Sequence, residues 1–254
     1  MSPIVRSLSS ALLRDRQLVR LVTRLRNRRR TVEEVFTGIY RRNLWGGHGE
    51  FDSGRGTTDE RVVSAYIEMV SRQSKSEGFR DRSFVDLGCG DFRVGSRLLP
   101  FCSSYVGVDI VRPLIAKLNE TRGNGTTRFL HSNLIEDELP AGDVCFVRQV
   151  LQHLSNQQIA TVLRKLVRYP WVFITEHYPS DNPRIRPNLD KVHGGDVRVY
   201  DNSGVYLTEP PFSLRSETLQ QVLEVPGVGL GDCEDPGVIR TFLYKPGYGR
   251  ADDA

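Results

Sequence analysis

From residue 82 onward, short apolar runs rich in β-branched residues alternate with amphipathic runs of helical period. Such alternation predicts parallel strands joined by helical crossovers, with helices covering both faces of the sheet. The predicted strands are SFVDL (83–87), YVGVDIV (105–111), TRFLH (127–131), DVCFV (143–147) and WVFIT (171–175). The predicted helices cover 92–99, 113–121 with Pro113 at the start, and the segment capped by Ser155 and Gln158.

The end of the chain departs from this alternation. A helix is predicted around 213–223, and the runs VLEV (222–225) and GVIRTFLYK (237–245) are joined by a glycine-rich connection. We expect these two runs to pair as an antiparallel hairpin at one sheet edge. The predicted fold class is therefore α/β: a Rossmann-like, doubly wound, mostly parallel sheet of seven strands with a C-terminal antiparallel hairpin, preceded by an N-terminal helical extension.

The first 42 residues form a basic segment, and the rest of the chain does not share its charge. They hold eleven arginines and no lysine against three acidic residues, whereas the remainder carries a small net negative charge. A basic patch confined to one end argues against a nucleic-acid-binding surface across the body. We therefore divide the chain into a basic helical extension, 1–42, and a domain, 43–254.

Within the extension, apolar residues recur at helical spacing over 8–26, and arginines occupy the other face. Two interpretations stay open. The helix could lie on an anionic membrane or a partner, contacting it through residues 8–30. Alternatively, it could fold back over its own domain with a solvated arginine face.

A glycine-rich loop follows the extension and leads into a helix. Thr57 and Glu60 have the spacing of a capping box that would open this helix. Such a loop could be a linker, but Trp45 within it favours contact with a ligand.

Residues 178–211 form a long insertion between the fifth strand and the predicted C-terminal helix. Connections of this length without regular structure are usually lids or binding loops. We expect the insertion and the loop around Trp45 to form the substrate wall. The predicted substrate-binding residues are Trp45, Tyr178, His193 and Tyr206.

The stretch FVDLGCGDFRVG, 84–95, places a glycine turn where the first strand ends. A nicotinamide-binding turn has the spacing G-x-G-x-x-G, but here Gly95 is displaced by two positions from that pattern. Asp91 would also repel a pyrophosphate. Asp109, nineteen residues after Gly90, lies where a carboxylate accepts ribose hydroxyls. These features favour a nucleoside with a cationic tail and no phosphate, which describes S-adenosylmethionine.

VDLGCGDF followed by VGVDIV resembles the first two motifs of the class I S-adenosylmethionine-dependent methyltransferases, and FVRQVLQHL resembles their segment after the fourth strand. The resemblance implies that Asp86 lies near the methionine amino group, that Asp109 holds the ribose, and that Asn133 stands where the family often has an aspartate for the adenine edge. The predicted cofactor-binding residues are Asp86, Gly88, Cys89, Gly90, Asp91, Asp109, Ile110, Asn133, Leu134, Arg148 and Gln149.

The resemblance implies an enzyme that methylates a small molecule or a sugar-containing metabolite, and the histidines favour oxygen as the acceptor atom. His177 and His153 are the candidate general bases. Structural roles stay open for both: a pocket wall or loop hydrogen bond for His177, and a helix cap for His153. The rival functions are an S-adenosylmethionine-binding module without catalysis and an NAD(P)-dependent oxidoreductase.

Two further patterns carry less weight. Asp190, His193 and Asp196 could ligate a hard divalent metal, but their spacing matches no metal signature, so no metal is predicted. TEPPF (208–212) is similar to the tetrad with which DNA amino-methyltransferases grip a flipped base, but it follows the fifth strand rather than the fourth. Nucleic acid is therefore disfavoured as a partner.

The remaining features concern location. Four cysteines without a C-x-x-C pair indicate free thiols in a reducing compartment. No apolar run approaches the roughly 18 residues that span a bilayer, and no secretory signal is recognisable. We expect a cytoplasmic protein, with membrane association through the basic helix as the open alternative. The sequence does not specify an oligomeric state.

Overall fold

A computed structural model describes residues 16–46, 50–229 and 236–247, with side chains from residue 18 onward. Seven strands form one sheet in the order β3-β2-β1-β4-β5-β7-β6. Strands β1 to β5 pair in parallel, and β7 runs antiparallel to both β5 and β6. The predicted fold class is confirmed. The strands are β1 (Arg82–Leu87), β2 (Cys102–Asp109), β3 (Thr127–His131), β4 (Val144–Arg148), β5 (Trp171–Tyr178), β6 (Leu219–Pro226) and β7 (Val238–Tyr244).

Helices precede the sheet and cover its two faces. They are α1 (Arg16–Asn27), α2 (Val32–Arg41), α3 (Arg55–Thr58), α4 (Glu60–Ser76), α5 (Arg112–Arg122) and α6 (Asn156–Leu166). Short 3₁₀ turns cover Gly95–Phe101, Leu151–His153, Arg198–Asp201 and Ser216–Thr218. Within residues 16–46, 50–229 and 236–247, no helix is both long enough and apolar enough to cross a membrane.

The central strands are apolar on both faces, which explains their continuous hydrophobic runs in the sequence. On one face, Phe84, Phe146 and Phe173 belong to a core cluster that includes residues of α2 and α4. On the other face, Val85 and Val147 pack in a cluster with α6. Strand order reverses around β1 and β4, and in such sheets ligands bind beyond the carboxyl ends of the strands at that point.

Helix starts follow local capping chemistry. The predicted cap of α6 is confirmed, because the Ser155 hydroxyl accepts from the Gln158 backbone N–H and the Gln158 side chain accepts in return. The capping box predicted for Thr57 is wrong. Asp59 is the N-cap of α4, and the Thr57 hydroxyl instead donates to Gly54 O at 2.8 Å within the short helix α3.

Two predicted helices are also wrong. Over 92–99 the chain forms turns and a 3₁₀ segment, because Phe92 takes a positive φ of 62° and Pro100 lacks the N–H that a helix needs. Around 213–223 a 3₁₀ turn leads directly into β6, which starts at Leu219. The apolar residues of this segment fit the period of a helix or of a strand. The segment forms a strand because it pairs with β7, across a bulge between Gln221 and Leu223.

The described part of the basic extension folds back onto the domain. Helix α2 contributes Val35, Phe36, Ile39 and Tyr40 to the same buried cluster as the sheet. Helix α1 contacts the 178–211 insertion through Arg24, which pairs with Asp196 and Asp201. The predicted helical residues 8–15 lie outside the described residues.

Candidate active site

A cavity of about 500 Å³ opens at the carboxyl ends of β1, β2 and β4. All eleven residues predicted to bind the cofactor line it, together with Trp45, His153 and His177. Tyr178, His193 and Tyr206 are not among the lining residues. The chain therefore brings the predicted cofactor set to one place, but only one of the four predicted substrate residues.

The turn after β1 brings bare backbone to the cavity wall. Gly88 and Gly90 have positive φ angles of 77° and 54°, which side-chain-bearing residues rarely adopt. A Cβ on Gly88 would lie 2.4 Å from Val150 Cγ2, and one on Gly90 would lie 2.4 Å from Ser53 Oγ. The turn therefore has no room for side chains.

Asp109 ends β2 and faces this turn. Its Oδ2 accepts from Gly90 N at 3.1 Å, and its Oδ1 accepts from Val111 N at 3.0 Å. Burial raises the pKa of Asp109, and the backbone donors oppose that rise. Each carboxylate oxygen can accept a second hydrogen bond, so the group has acceptors left for two hydroxyls of a bound ribose.

Asp86 and Arg148 place opposite charges at the ends of the adjacent strands β1 and β4. Asp86 is buried and accepts from the Tyr105 hydroxyl, and burial raises its pKa to about 6. The Arg148 guanidinium donates to Gly56 O at 2.6 Å and lies over the Tyr66 ring, 5.2 Å from its centroid.

The Nε of Arg148 is buried and has no partner among the described residues. A buried donor of this kind is costly unless a ligand accepts from it. A carboxylate beside a guanidinium whose Nε lacks an acceptor suits a zwitterionic amino-acid tail, with its ammonium on Asp86 and its carboxylate on Arg148. The bare glycine turn and the ribose acceptor Asp109 complete a donor and acceptor set that fits S-adenosylmethionine.

A family model described as a methyltransferase domain matches residues 85–169. The N-methyltransferase NodS from Bradyrhizobium japonicum WM9, solved with S-adenosyl-L-homocysteine, is similar in structure at 16% identity and a TM-score of 0.54, covering 82% of this chain and 98% of its own. The 1,6-didemethyltoxoflavin-N1-methyltransferase from Burkholderia thailandensis, also solved with S-adenosylhomocysteine, is similar at 19% identity and a TM-score of 0.54, covering 84% and 87%. No curated protein matches the sequence.

Residues 85–169 therefore match a methyltransferase domain, and the protein shares the fold of these S-adenosylhomocysteine-bound methyltransferases. The solved structures establish the shared fold, and the matched segment contains the glycine turn, Asp109 and Arg148. The lining of the cavity fits S-adenosylmethionine as a cofactor.

Beyond the predicted cofactor residues, the cavity is walled by aromatic rings. The Trp45 ring centroid lies 5.2 Å from that of Tyr40, 5.5 Å from His153 and 6.1 Å from Phe36. Phe36 and Tyr40 belong to α2, which the charge pattern assigned to the extension. The amphipathic run VEEVFTGIY indicates a helix that buries these two residues, but the charge count assigned that run to the basic helical extension.

The loop before α4 closes over the glycine turn. The Ser53 hydroxyl accepts from Asp91 N at 2.8 Å and lies 2.9 Å from the Tyr40 hydroxyl. Asp91 in turn accepts from Ser53 N at 3.2 Å. Ser53 and Tyr40 therefore tie the N-terminal wall of the cavity to the cofactor turn, and neither residue was predicted from the sequence.

The two candidate bases differ in how their ring nitrogens are occupied. His153 Nδ1 lies 3.1 Å from Gly194 O, so Nδ1 carries the proton and Nε2 is left with a lone pair. Burial, with the nearby Lys191 ammonium, lowers the pKa of His153 to about 4. His177 has its Nε2 2.6 Å from Pro236 O, so that nitrogen carries a proton held by a carbonyl.

The other predicted substrate residues serve the insertion itself. The Tyr178 hydroxyl donates to Val205 O at 2.8 Å, and the Tyr206 ring packs against the Tyr178 ring with centroids 5.2 Å apart. His193 Nε2 lies 3.1 Å from Arg30 O, which joins the insertion to the segment after α1. From the insertion, Gly195, Val197 and Tyr200 reach the cavity instead.

The carboxylates considered for a metal are engaged elsewhere. Asp196 pairs with Arg24 at 2.6 Å and with Lys191 at 2.8 Å, and Asp190 accepts from Asn156 N at 2.7 Å. Within the described ranges, no group of three or more His, Cys, Asp or Glu residues is arranged to hold a metal ion.

Proposed function

We propose that this protein is an S-adenosylmethionine-dependent methyltransferase that methylates a hydroxyl group of a small molecule, in particular a sugar-containing metabolite. The observation that supports this most is the position of His153. It lies in the cavity wall against Trp45, and its protonated Nδ1 is held by Gly194 O, which leaves Nε2 as the acceptor. Planar aromatic walls favour ring-shaped acceptors, because an aromatic face packs on the apolar face of a ring.

When bound, S-adenosylmethionine supplies an electrophilic methyl group on a positively charged sulfur and leaves as S-adenosylhomocysteine. Asp109 holds the ribose, and Asp86 with Arg148 holds the amino-acid tail. Tyr40, Trp45 and Phe36 orient the acceptor and exclude water, since in-line transfer depends mainly on holding the reacting atoms in contact distance. His153 Nε2 accepts the hydroxyl proton as the oxygen attacks.

The lowered pKa of His153 has two consequences. The imidazole is neutral at pH 7, so its lone pair is available without prior deprotonation. It is also a weak base, which matches a hydroxyl more acidic than that of a simple alcohol. We assign His177 to the pocket wall, because its Nε2 proton is held by Pro236 O.

The second candidate is N-methylation of a neutral amine. The weak basicity of His153 favours it, because a neutral amine attacks through its own lone pair without a general base. Two solved structures of similar fold, NodS and the 1,6-didemethyltoxoflavin-N1-methyltransferase, are N-methyltransferases.

Methyl transfer from ¹³C-methyl-labelled S-adenosylmethionine to a panel of glycosides, phenols and amines separates these candidates. We expect a labelled methyl on oxygen, identified by its carbon chemical shift in the isolated product. Products labelled only on nitrogen would replace the first candidate by the second.

His153→Gln and His177→Gln form a matched pair for the base. We expect His153→Gln to lower kcat by about 10²–10⁴-fold while the Kd for S-adenosylhomocysteine stays within about twofold. His177→Gln should retain most of kcat. The opposite pattern would move the base to His177.

A further inference from the structure

Helix α1 is docked on the protein through its polar side. Arg24 Nη2 donates to Asp196 Oδ2 at 2.6 Å and also pairs with Asp201. The Arg20 guanidinium lies over the Tyr200 ring, 4.9 Å from its centroid. The Asn27 amide donates to His193 O at 3.1 Å, and Asn27 is only 5% exposed. Positions 20, 24 and 27 lie on one side of a helix, so this side faces the 178–211 insertion.

The apolar side of α1 points away from the domain. Leu21 is 54% exposed, Val22 56% and Leu25 51%, and Val19 is also exposed. In an ordinary surface helix these residues would form the buried stripe, with the arginines in solvent. Here the arrangement is inverted. Contiguous exposed apolar side chains of this kind mark an interaction surface.

Arginines border this apolar side. The helix and the residues directly after it contain no acidic residue. Arg26, Arg28 and Arg29 are exposed, and residues 16–32 contain neither Asp nor Glu. The chain beyond residue 42 carries a small net negative charge. An anionic surface would therefore attract the α1 face and repel the body of the protein, which fixes the orientation of docking.

We propose that the exposed face of α1, formed by Val19, Leu21, Val22 and Leu25 with Arg26, Arg28 and Arg29, docks the enzyme on an anionic lipid bilayer. The apolar side chains would enter the boundary between headgroups and acyl chains, and the guanidinium groups would lie at the headgroup phosphates. Apolar burial and electrostatic attraction act together in such helices, and each is weak alone. A second copy of this chain would present the same arginines, so like charges would oppose a symmetric pairing through this face.

Docking through α1 would also orient the cavity. Tyr200 lies under Arg20 of α1 and lines the cavity, and Leu44, 58% exposed, lines it as well. One wall of the cavity therefore lies directly beneath the lipid-facing helix. The acceptor would then be a molecule presented at the membrane surface. This last step rests on the proposed function, whereas the docking itself does not.

Co-sedimentation of the full chain with lipid vesicles tests the proposal. We expect binding to vesicles of phosphatidylcholine with phosphatidylglycerol, little binding to phosphatidylcholine alone, and loss of binding as salt is raised. Equal binding to the two vesicle types, or binding to neither, would overturn the proposal.

Two triple variants separate the apolar and electrostatic contributions. Leu21→Gln/Val22→Gln/Leu25→Gln and Arg26→Gln/Arg28→Gln/Arg29→Gln should each lower the partition coefficient on anionic vesicles at least about tenfold. Arg72→Gln/Lys75→Gln/Arg80→Gln is the matched control, because it removes the same charge from exposed positions elsewhere. The proposal would be contradicted if both α1 triple variants bound vesicles like the wild type, or if the control variant lost as much vesicle binding as they did.

All variants must first retain the wild-type Kd for S-adenosylhomocysteine, which shows that they are folded without any assay of methyl transfer. Sedimentation velocity without lipid tests the alternative that a second copy of this chain covers the apolar face. A wild-type dimer that becomes monomeric in the apolar variant, without vesicle binding by the wild type, would assign the face to self-association and overturn the proposal.

Discussion

The backbone N–H of Gly90 donates to the carboxylate of Asp109 at 3.1 Å, so the turn after β1 and the end of β2 form one hydrogen-bonded unit. The same carboxylate accepts from Val111 N at 3.0 Å, which fixes the start of α5 relative to the turn. Asp109 therefore acts as a scaffold for the glycine turn, and we propose that its remaining lone pairs accept from the ribose.

Asp109→Ala should raise the Kd for S-adenosylhomocysteine by at least about 100-fold. Hydrogen bonds to charged acceptors contribute roughly 1.5–3 kcal/mol each, and this variant loses those to the ribose together with those that hold the turn. Isothermal titration calorimetry measures the change. Glu138→Gln is the control, because the Glu138 side chain is 96% exposed. An Asp109→Ala protein that binds within about fivefold of the wild type would contradict the ribose assignment.

Gly90→Ala should abolish cofactor binding through a steric clash as well as through backbone strain. Gly78 offers a matched control, because its φ is +69° and no atom lies within 4 Å of the position that a Cβ would take there. Both substitutions carry the left-handed backbone cost of roughly 1–2 kcal/mol. Only Gly90→Ala also places a Cβ 2.4 Å from Ser53 Oγ.

We therefore expect a similar small loss of thermal stability from strain in both glycine variants, with a further loss in Gly90→Ala. Titration with S-adenosylhomocysteine should show wild-type affinity for Gly78→Ala and none for Gly90→Ala. Equal affinities would mean that the turn can move away from Ser53 at little cost.

The sheet was predictable because its strands are buried on both faces. Burial makes runs such as Val144–Val147 apolar without interruption, and polar residues such as Arg148 that end them mark the carboxyl edge. The segment around Leu219 was not predictable in the same way. Its apolar spacing suits a helix or a strand, and its pairing with β7 involves residues about twenty positions away.

The substrate end was less predictable than the cofactor end. The cofactor residues follow strands in sequence, so motif spacing locates them directly. Tyr178 and His193 instead satisfy contacts with Val205 and Arg30, which arise only when the insertion folds against itself and against the chain after α1. Phe36 reaches the cavity because α2 packs on the sheet. The amphipathic run VEEVFTGIY indicates a helix with one buried face, but it does not specify where that face packs.

Cofactor affinity should fall as the pH drops through about 6. Burial raises the pKa of Asp86 to about 6, and only the ionised carboxylate pairs with the ammonium of the amino-acid tail. Below this pH, binding must first remove a proton, so the Kd for S-adenosylhomocysteine should rise by up to about tenfold per pH unit.

Asp86→Asn isolates the contribution of that carboxyl group. This variant should bind more weakly than the wild type at pH 7 and should show a flatter profile between pH 5 and pH 7, about one pH unit on either side of the pKa. The remaining slope would belong to Asp109, whose pKa burial also raises. An unchanged slope in Asp86→Asn would assign the whole pH dependence elsewhere.

Glu176 should make the protein less stable as the pH rises towards 8. The side chain is fully buried on β5, and its two oxygens accept from Leu151 N at 2.8 Å and Gln152 N at 3.1 Å. Burial raises its pKa from 4.5 to about 8, against the opposing effect of the backbone donors. The carboxyl group therefore stays protonated in the folded state at pH values where the unfolded chain ionises.

Because the folded state then binds more protons than the unfolded state, the stabilising contribution of Glu176 is fully present below about pH 4.5 and is lost as the pH approaches 8. Glu176→Gln removes this titration, so the difference in the free energy of unfolding between wild type and variant should shift in favour of the variant over this range. Urea unfolding of both proteins at half-unit pH steps measures that difference. The variant also converts one acceptor oxygen into a donor facing a backbone N–H, which lowers its stability by a similar amount at every pH. A pH-independent difference would therefore show that Glu176 is already ionised in the folded protein and is held as a carboxylate by the two backbone donors.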